Sequence, residues 1–90
     1  MCQMFAGQPT SNYEYQSRSI RLNGLSTSVR LEQKFWEILD LMAKDEDVST
    51  PQFISTLHSE VLELHGDAKN FTSLLRCTCL IYQQKAITAA

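Results

Sequence analysis

The sequence lacks several features that would assign a function directly. It has no apolar run long enough to span a bilayer, and no basic region followed by an apolar stretch opens the chain. It also has no glycine-rich phosphate loop, no nucleophile elbow and no carboxylate pair singled out by an apolar setting. We therefore expect a cytoplasmic protein without membrane contact that is not an enzyme.

Cysteine is sparse, and its spacing does not match a metal site. The three cysteines are Cys2, Cys77 and Cys79, whereas zinc sites usually pair two C-x₂₋₄-C units or combine one with H-x₃₋₅-H. His58 and His65 lie two helical turns apart, about 10 Å, which is too far for one metal ion unless a partner supplies further ligands. We therefore expect reduced cysteines and no cofactor.

Glycine and proline are also few, three and two among 90 residues, and 43% of the residues are hydrophobic. These values are typical of one small globular domain. A chain of this length buries only about 60–65% of the surface that its unfolded form exposes. Such a marginal core usually requires a disulfide, a metal ion or a partner subunit.

The net charge of −2 argues against a protein that binds polyanions over its whole surface. The charge is distributed unevenly, however. Residues 1–35 carry +2, residues 36–67 carry −7 and residues 68–90 carry +3. Because screening limits each charge to about 8–10 Å, a basic segment on an acidic body can still meet phosphate locally.

Residues 18–31 alternate polar and apolar side chains with the period of a β-strand, and the alternation changes phase at Asn23-Gly24. Asn-Gly is the strongest short signal for a β-hairpin, since both positions tolerate a positive φ. The hairpin would set Leu22 opposite Leu25 and leave serines and arginines on its other face. A β-bulge at Gly24 would also explain the phase change.

Two helices follow the predicted hairpin. Residues 33–45 repeat apolar side chains at helical spacing. Ser49 then predicts the N-cap of a second helix, with Pro51 in its first turn and Gln52 completing a capping box. Gly66 marks its end.

A third helix is predicted after Asn70, which we expect to cap it. We divide the chain into an irregular N-terminal arm, residues 1–17, a domain of residues 18–82 that includes this extra C-terminal helix, and a fraying tail, residues 83–90. The fold class is therefore α+β.

A single strand or hairpin covered by two amphipathic helices leaves one side of the core open. The simplest way to close it is an intertwined two-fold dimer, in which the helices of both chains share one core beneath paired strands. We therefore expect a homodimer.

The order and residues of these elements resemble the ribbon-helix-helix DNA-binding fold of the Arc and MetJ repressors over residues 26–61. Residues 1–82 are also similar to a bacterial ribbon-helix-helix subfamily whose targets are unassigned. The blocks that carry this resemblance are Met1-Cys2, Arg18 to Leu22, Thr27 to Glu32, Phe35-Trp36, Asn70 to Ser73 and Leu75-Arg76.

The resemblance implies a transcriptional regulator that binds double-stranded DNA. In this family a two-stranded ribbon enters the major groove, and alternate side chains on its outer face meet base edges. The matching positions here are Ser26, Ser28 and Arg30. The family binds phosphate at the start of its second helix, which corresponds to Ser49 and Thr50.

The predicted hairpin leaves a second interpretation open. A dimer of hairpins would have four strands, about 14 Å across at about 4.8 Å per spacing, and would not enter an undistorted major groove. Arg21 would then flank the central strands and widen the basic face. The alternative function is a dimeric module that binds another protein through the sheet or the third helix.

Overall fold

A computed structural model of the chain describes the backbone of residues 2–89 and the side chains of residues 3–86. The elements are α1 (Cys2–Ala6), a short 3₁₀ helix (Thr10–Tyr13), β1 (Tyr15–Leu22), β2 (Leu25–Glu32), α2 (Gln33–Asp45), α3 (Thr50–His65) and α4 (Phe71–Ala89). The α+β prediction, a hairpin followed by three helices, is confirmed. Met1 and Ala90, at the ends of the expected arm and tail, lie outside the described residues.

The hairpin has the register that the Asn-Gly turn predicts. Asn23 and Gly24 adopt φ values of 52° and 84°, both in the left-handed region that such a turn requires. The antiparallel pairing runs without a break from Leu22 opposite Leu25 to Tyr15 opposite Glu32. The turn alone therefore accounts for the change of phase, and no bulge is needed.

Strand β1 begins at Tyr15, three residues before the predicted domain boundary. Contacts with α2 hold this extension in place, because the Trp36 indole N–H donates to the Gln16 carbonyl at 2.7 Å. The Gln33 amide also donates to the carbonyl of Glu14 at 2.8 Å. The arm expected to be irregular contains α1 and the 3₁₀ helix, both closed by local backbone hydrogen bonds that apolar periodicity does not reveal.

Helices α2 and α3 begin and end as predicted. The Gln52 amide donates to Ser49 Oγ at 3.2 Å, which confirms Ser49 as the N-cap of α3, and Gly66 ends the helix with a φ of 81°. Helix α4 starts after Asn70, whose φ of 56° differs from the extended backbone of an ordinary N-cap. The helix continues to Ala89, through the segment expected to fray. None of the helices in residues 2–89 combines the length and apolarity needed to cross a bilayer.

The core lies between the inner face of the hairpin and the three long helices. Trp36 and Leu39 of α2 and Ile54 of α3 are fully buried, and α4 adds the fully buried Leu75 and Cys79. The complete buried cluster is Ile20, Leu22, Val29, Leu31, Trp36, Leu39, Met42, Ile54, Leu75 and Cys79. Helix α4 therefore closes, within one chain, part of the core that the first two helices leave open.

Candidate nucleic-acid interface

The outer face of the hairpin brings four of the predicted contact residues together. Paired residues of an antiparallel sheet project from the same face, and Ser17 pairs with Arg30, Ser19 with Ser28 and Arg21 with Ser26. All six side chains are exposed. Ser19 Oγ and Ser26 Oγ lie 2.8 Å apart. The face therefore presents two guanidinium groups among hydroxyl groups.

Tyr15 is a member of this face that the sequence prediction missed. The Arg30 guanidinium carbon lies 4.4 Å from the centroid of the Tyr15 ring, a cation–π contact. Tyr15 itself is 55% exposed. The ring packs against the Arg30 guanidinium group, and the Arg30 side chain remains exposed. The signal was available, because extending the predicted register by three residues places Tyr15 beside the Ser17–Arg30 pair.

Glu32, two residues after Arg30 on β2, pairs with α4 and not with Arg30. Glu32 accepts a hydrogen bond from Arg76 Nε of α4 at 3.0 Å. This ion pair draws the Glu32 carboxylate toward α4. The described structure contains no ion pair for Arg21 or Arg30, so both guanidinium groups are available to an anionic ligand.

Ser49 and Thr50 lie at the start of α3, in a depression that is lined by two carboxylates and one lysine. The Thr50 hydroxyl donates to Asp40 Oδ1 at 2.7 Å, and Asp47 lines the same surface depression. Arg18 donates to both oxygens of Asp40, at 2.8 and 3.2 Å, and this pairing holds the pKa of the Asp40 carboxyl below its usual value. The N-terminus of α3 is thus partly occupied by the protein's own anion.

Arg18, although part of β1, does not belong to the outer face. It projects from the same side as Ile20 and lies over the Trp36 ring, 4.4 Å from its centroid, while it pairs with Asp40. Its role is to link the hairpin to α2.

The cysteines lie apart from this face. Cys79 is fully buried, burial raises the pKa of its thiol to about 11, and Cys77 is exposed on α4. Within the part of the chain that the structure describes, no three His, Cys, Asp or Glu side chains are placed to hold a metal ion.

A family model described as ribbon-helix-helix domain matches residues 15–83. The chain belongs to the ribbon-helix-helix domain family. Its members are generally non-enzymatic proteins that bind DNA, typically as dimers. The matched segment begins at Tyr15, where β1 begins, and includes 13 of the 19 residues of α4. The hairpin, α2, α3 and the first two thirds of α4 therefore form the family domain.

One solved structure is similar over almost the whole chain. It is that of an uncharacterized protein from Bordetella pertussis Tohama I, with a TM-score of 0.95 and 42% sequence identity. The match covers 99% of this chain and 71% of that one. A search of proteins with curated functions finds no match. These comparisons show the fold and the family.

Proposed function

We propose that this protein is a transcriptional regulator that binds double-stranded DNA as a two-fold homodimer. The observation that carries the proposal is the outer face of the hairpin, where Arg30 is stacked on Tyr15 and has no ion pair among the described residues. A guanidinium group held in this way can donate two parallel hydrogen bonds to guanine. Ser26 and Ser28 supply hydroxyl groups beside it.

The free edge of β2 supports the dimer. The sheet contains only β1 and β2 among the described residues, so β2 has one edge without a neighbouring strand. Leu25 and Thr27 project from the face that elsewhere packs on the core, yet both are exposed, Leu25 by 72%. Together with Val29 and Phe71 they line a cleft of about 400 Å³. A second copy that pairs β2 with β2 would cover these side chains.

The other edge of the sheet is less suited to this role. Ile20 and Leu22, the inner-face residues of β1, are buried. Helix α3 packs beneath β1 and already covers that side. Pairing through β2 therefore buries more apolar surface, and it gives a sheet with the strand order β1-β2-β2-β1.

This strand order determines which residues reach the bases. The two β2 strands are central and carry Ser26, Ser28 and Arg30, the positions that the family resemblance assigns to base contacts. The outer strands are separated by about 14 Å, which exceeds the major-groove width of about 12 Å. The central pair would thus enter the groove while the outer strands remain at its rim.

The proposal can be tested by selection of genomic fragments of the source organism in a mobility-shift assay at low salt. The unchanged chain should recover a discrete site, and Arg30→Ala should lose it. Lys34→Gln is a charge-matched control, because Lys34 is exposed in the first turn of α2 and lies outside the outer face. Recovery of no fragment by the unchanged chain would refute the proposal.

A second candidate function, a module that binds another protein, is favoured by the outer side of α4. Leu80 and Ile81 are 55% and 53% exposed there, and Cys77 is exposed one turn earlier. If this function applies, the chain should retain one protein partner after nuclease treatment, and Leu80→Lys should release it. DNA selection would then enrich no site.

A further inference from the structure

A polar cleft lies between the hairpin turn and the side of α3. It has a volume of about 350 Å³. Arg21 lies on the β1 side, the Asn23-Gly24 turn forms one end, and α3 contributes a row of polar side chains. These are Gln52, Ser55 and Ser59, which are three and four residues apart and therefore share one face of the helix.

The cleft has the chemistry of an anion site. Its lining supplies a guanidinium group, two side-chain amides and two hydroxyl groups, all of which donate hydrogen bonds. None of its lining residues is acidic. Arg21 has no ion pair among the described residues, so its charge is not neutralised within the chain. A planar guanidinium with neighbouring hydroxyl donors suits the oxygens of a phosphate group.

The start of α3, one turn away, differs from this cleft because acidic residues line it. Asp40 and Asp47 line the depression around Ser49 and Thr50 together with one cation, Lys44, and Asp40 already accepts the Thr50 hydroxyl. A phosphate placed there would meet two carboxylates and one ammonium group, a lining with a net charge of −1, whereas the lining of the Arg21 cleft carries +1. Electrostatics therefore favour the Arg21 cleft over the helix N-terminus as the place where this chain holds a phosphate.

We propose that the Arg21 cleft binds a phosphate of the DNA backbone. The inference rests on the proposed function and adds to it the place of the backbone contact. In a dimer paired through β2, Arg21 lies on the outer strand of each chain, so the two clefts are at opposite edges of the sheet. A sheet about 14 Å across places its edges beside the phosphates that border a groove about 12 Å wide. The width that prevents complete insertion would thus bring the two clefts to the two backbones.

The test is the salt dependence of binding to the selected duplex. Each phosphate contact contributes a slope of about −0.9 to the logarithm of the binding constant against the logarithm of salt concentration. Arg21→Gln removes one contact per chain and should make the slope of the dimer shallower by about 1.8. Ser55→Asp places a carboxylate in the cleft and keeps Arg21. This variant should also bind the duplex more weakly than the unchanged chain. Lys85→Gln, the matched loss of a charge outside the cleft, should leave the slope unchanged.

Amide NMR titrations separate the two sources of phosphate. If the cleft binds the backbone, the duplex should shift the amide signals of Gly24 and Ser55 in the unchanged chain, and these shifts should be absent in Arg21→Gln. Inorganic phosphate is the second arm. If it shifts these signals while the salt slope of Arg21→Gln equals that of the unchanged chain, the cleft holds free phosphate and the backbone assignment is wrong.

The failure of this inference can be distinguished from failure of the proposed function. If the unchanged chain binds a discrete duplex and Arg21→Gln has the same salt dependence of binding, only the assignment of a backbone phosphate to the cleft is refuted. If the unchanged chain binds no duplex, the proposed function is refuted and the backbone contact with it.

Discussion

The contact between Tyr15 and Arg30 predicts a specific energetic coupling in DNA binding. Arg30 is exposed, and in the described structure its guanidinium group is held by the Tyr15 ring at 4.4 Å and not by an ion pair. If Arg30 reads a base, removal of the ring should lower affinity only through Arg30. Tyr15→Leu removes the aromatic face and retains an apolar side chain, whereas Tyr15→Phe retains the ring.

The expected size of the effect follows from the geometry. An exposed cation–π contact contributes about 0.5–1 kcal/mol, so two copies in a dimer contribute about 1–2 kcal/mol. Since about 1.4 kcal/mol corresponds to a factor of ten, Tyr15→Leu should weaken binding about 5- to 30-fold. Arg30→Ala should cost more, about 2–6 kcal/mol for two bidentate contacts of about 1–3 kcal/mol each.

A double-mutant cycle on the selected duplex measures the coupling. Tyr15→Leu should have its full effect in the unchanged chain and almost none in the Arg30→Ala background. Tyr15→Phe should bind like the unchanged chain, and the affinity of both Tyr15 variants for a duplex of scrambled sequence should change little, because neither variant alters the charge. Equal losses from Tyr15→Leu in both backgrounds would show that Tyr15 acts independently of Arg30 and would refute the reasoning.

Three further predictions concern stability and assembly. Trp36→Phe, which removes the donor to the Gln16 carbonyl and part of a fully buried side chain, should lower the free energy of unfolding by about 1–3 kcal/mol in a denaturant titration. Because the pKa of Asp40 is lowered on folding, its pairing with Arg18 should stabilise the protein above pH 3.8 and lose that effect as the pH falls through the folded pKa. The melting temperature, measured from pH 6 down to pH 2, should therefore fall less steeply in Asp40→Asn than in the unchanged chain, because the variant has no carboxyl at this position to protonate. Leu25→Lys should weaken the dimer by about 1.5 kcal/mol or more per copy, as measured by light scattering at a series of protein concentrations. It should have little effect on the free energy of unfolding of the monomer, because Leu25 is 72% exposed in a single chain.

The parts of the fold that depend on local chemistry were predictable from the sequence. Asn23-Gly24 determines both the turn and the register, because its two positive φ values permit only one compact two-residue connection. Ser49 determines the start of α3 through its hydroxyl, and Gly66 determines its end. Because the register was predicted, the shared face of Ser26, Ser28 and Arg30 followed from it.

The parts that depend on tertiary contacts were not predictable in this way. The extension of β1 to Tyr15 is stabilised by the Trp36 indole, which lies 20 residues from its acceptor Gln16. Likewise, the pairing of Glu32 with Arg76 joins residues 44 positions apart. The periodicity of side chains within β1 or β2 cannot predict contacts over such sequence distances. The Tyr15–Arg30 stack was missed because it requires this extension of β1, although the predicted register, once extended, places Tyr15 beside the Ser17–Arg30 pair.

The distribution of charge in the folded chain bears on how it would select DNA. Arg18 and Arg76 are committed to ion pairs with acids of the same chain, so the hairpin offers Arg21 and Arg30. In a dimer paired through β2, this amounts to four exposed guanidinium groups on the proposed DNA face, beside helical segments that carry −7 per chain between residues 36 and 67. Two backbone contacts release few counterions, so binding to DNA of arbitrary sequence would be weak. The affinity for a cognate site must then come mainly from base contacts of the paired β2 strands. Because this pair of strands forms only in the dimer, sequence-specific binding would require dimer formation.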